Sequence, residues 1–283
     1  MIVSALVISI ILIGPPVVPL QQPVETARAD IDAGRYAEAV KTLTVALEAA
    51  PKDPAIHLWL ARAYYEQRMY DKAVTHAETA VKLAPDNAEY HRWLGRAYGG
   101  KAEESRSFFL ARKVKQAFEA AVRLAPRSIA ARRDLMQYLV EAPWIVGGSK
   151  DQAREQVQAI AQLDPIEGRL AQAAYLTGQK KWKEAQGEYL AVLDQHPSRI
   201  EPYMEAAEFF ADRNDADNLD RVLASASRVS PRDSRLYFYR AVVLILRGTD
   251  RATAEKLLTS YVAMPERSDH PSRNKAKQWL NRK

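Results

Sequence analysis

The sequence is punctuated by a recurring phrase that ends in proline. Ala46-Leu47-Glu48-Ala49-Ala50-Pro51 returns as Ala80-Val81-Lys82-Leu83-Ala84-Pro85, and again as Ala121-Val122-Arg123-Leu124-Ala125-Pro126. Looser copies end at Pro165, Pro197, Pro231 and Pro265, so successive prolines lie 34, 41, 39, 32, 34 and 34 residues apart. Proline cannot continue a helix and biases its predecessor away from helical geometry, so each one is expected to close the second helix of a repeating unit. Polar or small residues then open the next helix: in Asp53-Pro54 the aspartate serves as cap and the proline fits the first turn. Glycine is scarce, 11 in the chain, and aromatic or β-branched stretches of period two are absent. The chain therefore reads as all-α, not all-β.

Buried positions recur within the units. Leu60, Ala61 and Tyr64 mark the first helix of the second unit, followed by Tyr70, Ala73, Ala77 and Ala80. Leu94-Gly95 with Tyr98 repeats the pattern, and Ala61, Gly95 and Ala207 are small where two helices must approach closely. Tyr36, Tyr70 and Trp182 each precede an alanine by three residues (Ala39, Ala73, Ala185), and these aromatics are expected in the core. With the period of 34, these phrases resemble the tetratricopeptide-repeat family over about residues 23 to 267. The resemblance implies a right-handed superhelical solenoid of about seven helix-turn-helix repeats. Residues 268–283, with Ala276, Trp279 and Leu280 in register, are expected to form a basic capping helix. The terminal units depart from the pattern: Asp30 stands where an aromatic is usual and Thr253 where alanine is usual, while the sixth unit has Leu219 at that alanine position.

The wider spacings indicate insertions between the two helices of units three and four, near 99–109 and 141–150, side by side on one edge of the solenoid. Gly147-Gly148-Ser149-Lys150 lacks the upstream glycine of a phosphate loop and follows no strand. Two glycines for a tight turn and a capping box between Ser149 and Gln152 account for it. Trp144, Ile145 and Val146 either fold back onto the helices beside Phe108 and Phe109, or form an edge contact for a partner.

Cysteine is absent, which excludes thiolate metal sites, thiol nucleophiles and disulfides. Five histidines, among them His57 and His91 one period apart, have no third ligand at metal spacing, and no catalytic signature is present. No enzyme activity, cofactor, metal, small-molecule substrate or nucleic-acid partner is expected. The formal charge of +6 is uneven: residues 92–133 carry 11 Lys and Arg against 3 Glu. Ile2 to Ile13 is apolar apart from Ser4 and Ser9, and Gly14-Pro15-Pro16 follows. Residues 1–22 are read as an export signal or an N-terminal anchor, which would make the protein periplasmic, secreted or membrane-anchored.

The resemblance assigns the concave wall to the first helix of each unit. Carried over, it places Leu58, Arg62, Tyr65, Arg92, Arg96, Arg133, Gln137, Met204 and Glu208 on that wall. Arg92 and Arg96 lie one helical turn apart, and with Arg62 and Arg133 they make a row of guanidinium donors for carboxylate or phosphate. The expected function is a scaffold holding an acidic or apolar-acidic segment of another protein. The alternative is an assembly role, in which the 141–150 edge mediates self-association or peripheral membrane docking.

Overall fold

The computed structural model describes residues 21–267 and 269–282, and the expected export signal or anchor lies largely outside them. Within these residues the chain forms seven antiparallel helix pairs and a final helix, with no strand. The pairs are α1 (Gln21–Asp32) with α2 (Tyr36–Ala49), α3 (Pro54–Glu66) with α4 (Tyr70–Leu83), and α5 (Ala88–Ser105) with α6 (Phe108–Leu124). Next come α7 (Ile129–Glu141) with α8 (Lys150–Leu163), α9 (Pro165–Gly178) with α10 (Trp182–Leu193), and α11 (Glu201–Asp212) with α12 (Ala216–Val229). The last pair is α13 (Arg235–Arg247) with α14 (Arg251–Val262), and α15 (Arg273–Leu280) caps the array.

The repeat boundaries follow from capping chemistry. Two residues after Pro51, Pro85 and Pro126 stand Asp53, Asn87 and Ser128, and each side chain accepts a hydrogen bond from a first-turn amide. Six residues after the proline, a side chain donates to the proline's own carbonyl. His57 Nε2 meets Pro51 O at 3.1 Å, His91 Nε2 meets Pro85 O at 2.7 Å, Arg132 Nε meets Pro126 O at 2.8 Å, and Tyr203 Oη meets Pro197 O at 3.0 Å. This ties α3, α5, α7 and α11 to the end of the preceding unit and gives His57 and His91 a definite role. Pro165 breaks the rule. It follows the end of α8 like the others, but it is also the first-turn residue of α9, with Asp164 capping both helices, so no spacer separates the two units.

An apolar spine runs from Ala61 in repeat two to Trp279 in α15, and a second cluster of Ala27, Ile31, Ala39, Leu43, Ile56 and Leu60 joins repeats one and two. Gly95 packs directly on Phe118; a Cβ there would lie 2.4 Å from the ring. Ala61 and Ala207 are likewise buried.

Several local expectations are corrected. The first insertion is helical: α5 and α6 lengthen to 18 and 17 residues, and only Arg106 and Ser107 separate them. The second remains a loop, with one 3-10 turn at Trp144–Val146. Ser149 caps α8, but Gln152 gives its side-chain oxygen to Lys115 and the Ser149 amide donates to Leu139 O, so the capping box is only half made. In repeat seven the alanine position belongs to buried Ala254, while Thr253 is exposed. Trp182 is not core: it is exposed, with the Arg213 guanidinium 4.5 Å above its ring.

Candidate functional site

The concave wall is assembled from α3, α5, α7, α9, α11 and α13, held in register by the boundary bonds described above. Arg62 on α3 lies between two indoles, 4.2 Å from the Trp59 ring and 4.7 Å from that of Trp93. Burial holds its guanidinium below the ordinary arginine range, against the opposing pull of Asp32, Glu89 and Glu66. Its Nε is buried without a hydrogen-bond partner. Tyr65 packs edge-on against both Trp93 and Tyr70, and burial raises its phenol. Leu58 is buried with Ala80, Tyr90 and Trp93 and is not part of the open wall.

The other arginines are committed. Arg92 donates through Nε to Asp134 at 2.7 Å and through Nη1 to Glu89 at 2.8 Å. Arg96 donates through Nη2 to the other oxygen of Asp134, also at 2.8 Å. Arg133 bridges Glu167 on α9 at 3.0 Å and Glu205 on α11 at 2.6 Å. Burial would lower the Arg133 guanidinium, but the two glutamates hold it above its ordinary value. Gln137 bonds Glu141, Met204 is buried, and Glu208 pairs with Lys275 of α15. The row of open fork donors is therefore internally neutralised at Arg92, Arg96 and Arg133. Arg62 retains an unsatisfied donor.

The acids that accomplish this, Asp134 above all, were missed from sequence. The available signal was that Asp134 follows Arg133 on the first helix of the unit after Arg92 and Arg96. Trp59 and Trp93 were missed as the plates that fix Arg62.

The wall is interrupted between repeats five and six. There a cavity of about 530 Å³ opens between α7, α9 and α11, lined by Arg133, Gln137, Trp182, Tyr189 and Phe209 among others. The wall is also crossed by a connection that the sequence reading passed over. The strap between α14 and α15, of which residues 263–267 and 269–272 are described, lies against the concave face. Arg267 and Asp269 share a cavity of about 430 Å³ with Arg62, Arg92, Trp93 and Arg96. Asp269, His270 and Pro271 share another, of about 300 Å³, with Glu205, Glu208, Arg235 and Tyr239.

On the edge, the two expected neighbours meet. The Arg112 guanidinium donates to Ile145 O, and the Tyr138 hydroxyl lies 2.6 Å from Ala111 O and 2.7 Å from Val146 O. Only Val146 folds back. Trp144 is 85 % exposed, Ile145 51 %, Phe108 66 % and Phe109 69 %. Of these, Phe108 lines an apolar groove together with Ala111, Val114, Pro143 and Val146.

Residues 30–97 match the family model of the tetratricopeptide repeat. No curated protein sequence matches the chain. Among solved structures, a thermophilic tetratricopeptide-repeat protein of Thermus thermophilus is 19% identical, with a TM-score of 0.55 over 80% of this chain and 100% of its own. A tetratricopeptide repeat protein of Parabacteroides merdae is 13% identical, with a TM-score of 0.57 over 92% and 97%. The pilF protein of Pseudomonas aeruginosa is 16% identical, with a TM-score of 0.51 over 78% and 96%. At these identities the structures speak for the fold: the seven stacked hairpins are arranged as in tetratricopeptide-repeat proteins, and residues 30–97 match the repeat model itself.

Proposed function

We propose that this protein is a non-enzymatic scaffold that holds a segment of a partner protein against its concave wall. The fold is one that generally mediates protein–protein contact. The observation that carries the reading is Arg62, a cation fixed between Trp59 and Trp93, beside Tyr65 and lining a polar cavity. A desolvated guanidinium between aromatic faces is preorganised for a carboxylate, since little rotamer freedom remains to be lost. A photocrosslinking residue at Tyr65, compared with one at exposed Thr75 on α4, tests it in cells. Adducts at position 65 that weaken with Arg62→Gln are expected. Equal adducts from both positions would refute groove binding.

The exposed edge favours a second reading, peripheral docking to an anionic membrane. Phe108, Phe109, Trp144 and Ile145 project beside Arg106, Arg112 and Lys150, the combination that suits an interface of acyl chains and acidic headgroups. Among the described residues no helix is long and apolar enough to cross a membrane, so this contact would be superficial. Sedimentation with phosphatidylglycerol vesicles, lost in Trp144→Ser and absent with phosphatidylcholine alone, is the expected result. Self-association without vesicles, abolished by the same substitution, would replace the membrane by a second copy.

A further inference from the structure

We propose that the strap between α14 and α15 is an intramolecular ligand of the concave wall, and that the external partner is a proline-bounded acidic segment that displaces it. The inference rests on the groove-binding reading and specifies the chemistry of its partner.

The strap is fixed at both ends of the superhelix. At the far end from its own repeat, Glu266 O lies so close to Gly34 that a Cβ on Gly34 would stand 2.2 Å from it. Gly34 also sits at φ +73°, where glycine is favoured. At the near end, His270 Nε2 meets Ser234 Oγ at 2.9 Å and the Tyr261 hydroxyl donates to Pro271 O at 2.7 Å. Between these anchors the strap passes the Arg62, Arg92 and Arg96 wall on one side and the α11 and α13 wall on the other. One segment therefore touches the inner surface of both halves of the solenoid.

Its composition is that of a ligand, not of a core element. The sequence Pro265-Glu266-Arg267 and then Asp269-His270-Pro271 supplies no aliphatic anchor, its prolines keep it out of a helix, and it turns where the His270 amide donates to Arg267 O at 3.2 Å. It is held by hydrogen bonds that water or another peptide can replace, and cavities of about 430 and 300 Å³ lie beside it. Asp269 brings a carboxylate into the cavity that Arg62 lines. Burial would raise that carboxyl, but hydrogen bonds from His270 and Arg267 hold it well below the usual carboxylate range, so the strap brings the carboxylate in already paired with its own Arg267 and His270. A partner with an Asp or Glu in the same place, between helix-breaking prolines, meets the same arginine and aromatic faces. Because the strap is tethered, it competes at an effective concentration of roughly millimolar, and a partner's apparent affinity falls by the fraction of groove left open.

The test uses the full chain and a fluorescein-labelled peptide spanning Met264 to Ser272, read by anisotropy. Two variants weaken the strap independently. Gly34→Asn tolerates the positive φ but places a Cβ against Glu266 O, and His270→Ala removes the Ser234 bond. Each is expected to bind the peptide at least tenfold more tightly than the unmodified chain. Adding Arg62→Gln, or changing the peptide's Glu and Asp to Gln and Asn, should reverse most of that gain. Circular dichroism identifies any variant that fails to fold, and the other then decides. Binding to both folded variants no tighter than to the unmodified chain would overturn the inference and leave adducts at Tyr65 as separate support for groove binding. Peptide competition without adducts at position 65 would instead sink the scaffold reading, leaving the groove a site for its own chain.

Discussion

Gly95→Ala should destabilise the protein even though alanine is the better helix former. Gly95 lies within α5, where replacing glycine by alanine gains about 1 kcal/mol of helix propensity. Against this, the new Cβ would stand 2.4 Å from Phe118 Cε1 and 2.5 Å from Cδ1, more than an ångström inside ordinary carbon–carbon contact. Phe118 is buried in α6, whose own face is packed between α5 and α7, so relief requires an off-rotamer ring or a parting of the two longest helices. Overpacking of this kind costs about 1–3 kcal/mol, which after the propensity gain leaves a net loss of about 1 kcal/mol at the middle of that range and about 2 at its upper end. Thermal unfolding followed by circular dichroism should show a melting temperature lower by several degrees. The companion variant Phe118→Leu shortens the obstructing ring, so Gly95→Ala introduced into it should be neutral or stabilising. The difference between the two backgrounds is a coupling of about 1–3 kcal/mol. An unchanged or raised melting temperature for Gly95→Ala alone, or additive effects in the double variant, would show that close helix approach is not what requires glycine there.

Other outcomes follow from named contacts. His57 Nε2 must donate to Pro51 O, so its Nδ1 accepts from His76 Nδ1 at 3.0 Å, and burial, His57 and Lys72 together depress His76 to about 4. The unfolded chain takes up this proton at the ordinary histidine pKa while the folded chain resists it, so stability should fall as pH drops from about 6.5 to about 4. Full linkage would be worth about 3 kcal/mol, reduced to about 1–2 by the ring's partial exposure. His76→Gln should flatten that part of a pH–denaturation profile. Asp134→Ala leaves Arg92 and Arg96 without their shared carboxylate and should cost about 2–3 kcal/mol in urea unfolding, more than removal of the exposed Asp151. Tyr138→Phe removes the hydroxyl shared by Ala111 O and Val146 O, which should cost about 1 kcal/mol and speed amide exchange across residues 146–148.

The repeat ladder was legible because its signals are local. A proline two residues before Asp53, Asn87 or Ser128 both ends one helix and leaves a cap for the next, and no distant residue is needed to see it. Leu94-Gly95 with Tyr98 was readable for the same reason. The misreadings arise where neighbours one unit away decide. Extra length in repeat three could as well extend two helices as form a loop, and the choice depends on packing such as Tyr70 against Gly100. Trp182 has the spacing of a core residue, yet α10 borders the interruption between repeats five and six and leaves it exposed. The arginines are readable as positions on the first helices, but apart from Glu89 beside Arg92 their acidic partners come from 34 to 72 residues away, at Asp134, Glu167 and Glu205. The strap was the least visible of all, since its contacts depend on the curvature accumulated over the whole array.

The meeting of Glu266 with Gly34 has a consequence for how such a chain gains and loses its structure. An open solenoid behaves as a line of neighbours: either end frays cheaply, and damage in one hairpin is felt mainly by the two beside it. Joining the first hairpin to the last turns the line into a circuit, so fraying at one terminus is opposed from the other. Such closure comes late in folding, because nearly the whole chain must be ordered before its ends can find each other. Release of the clasp would restore the ordinary line and let the termini breathe again without disturbing any hairpin between them.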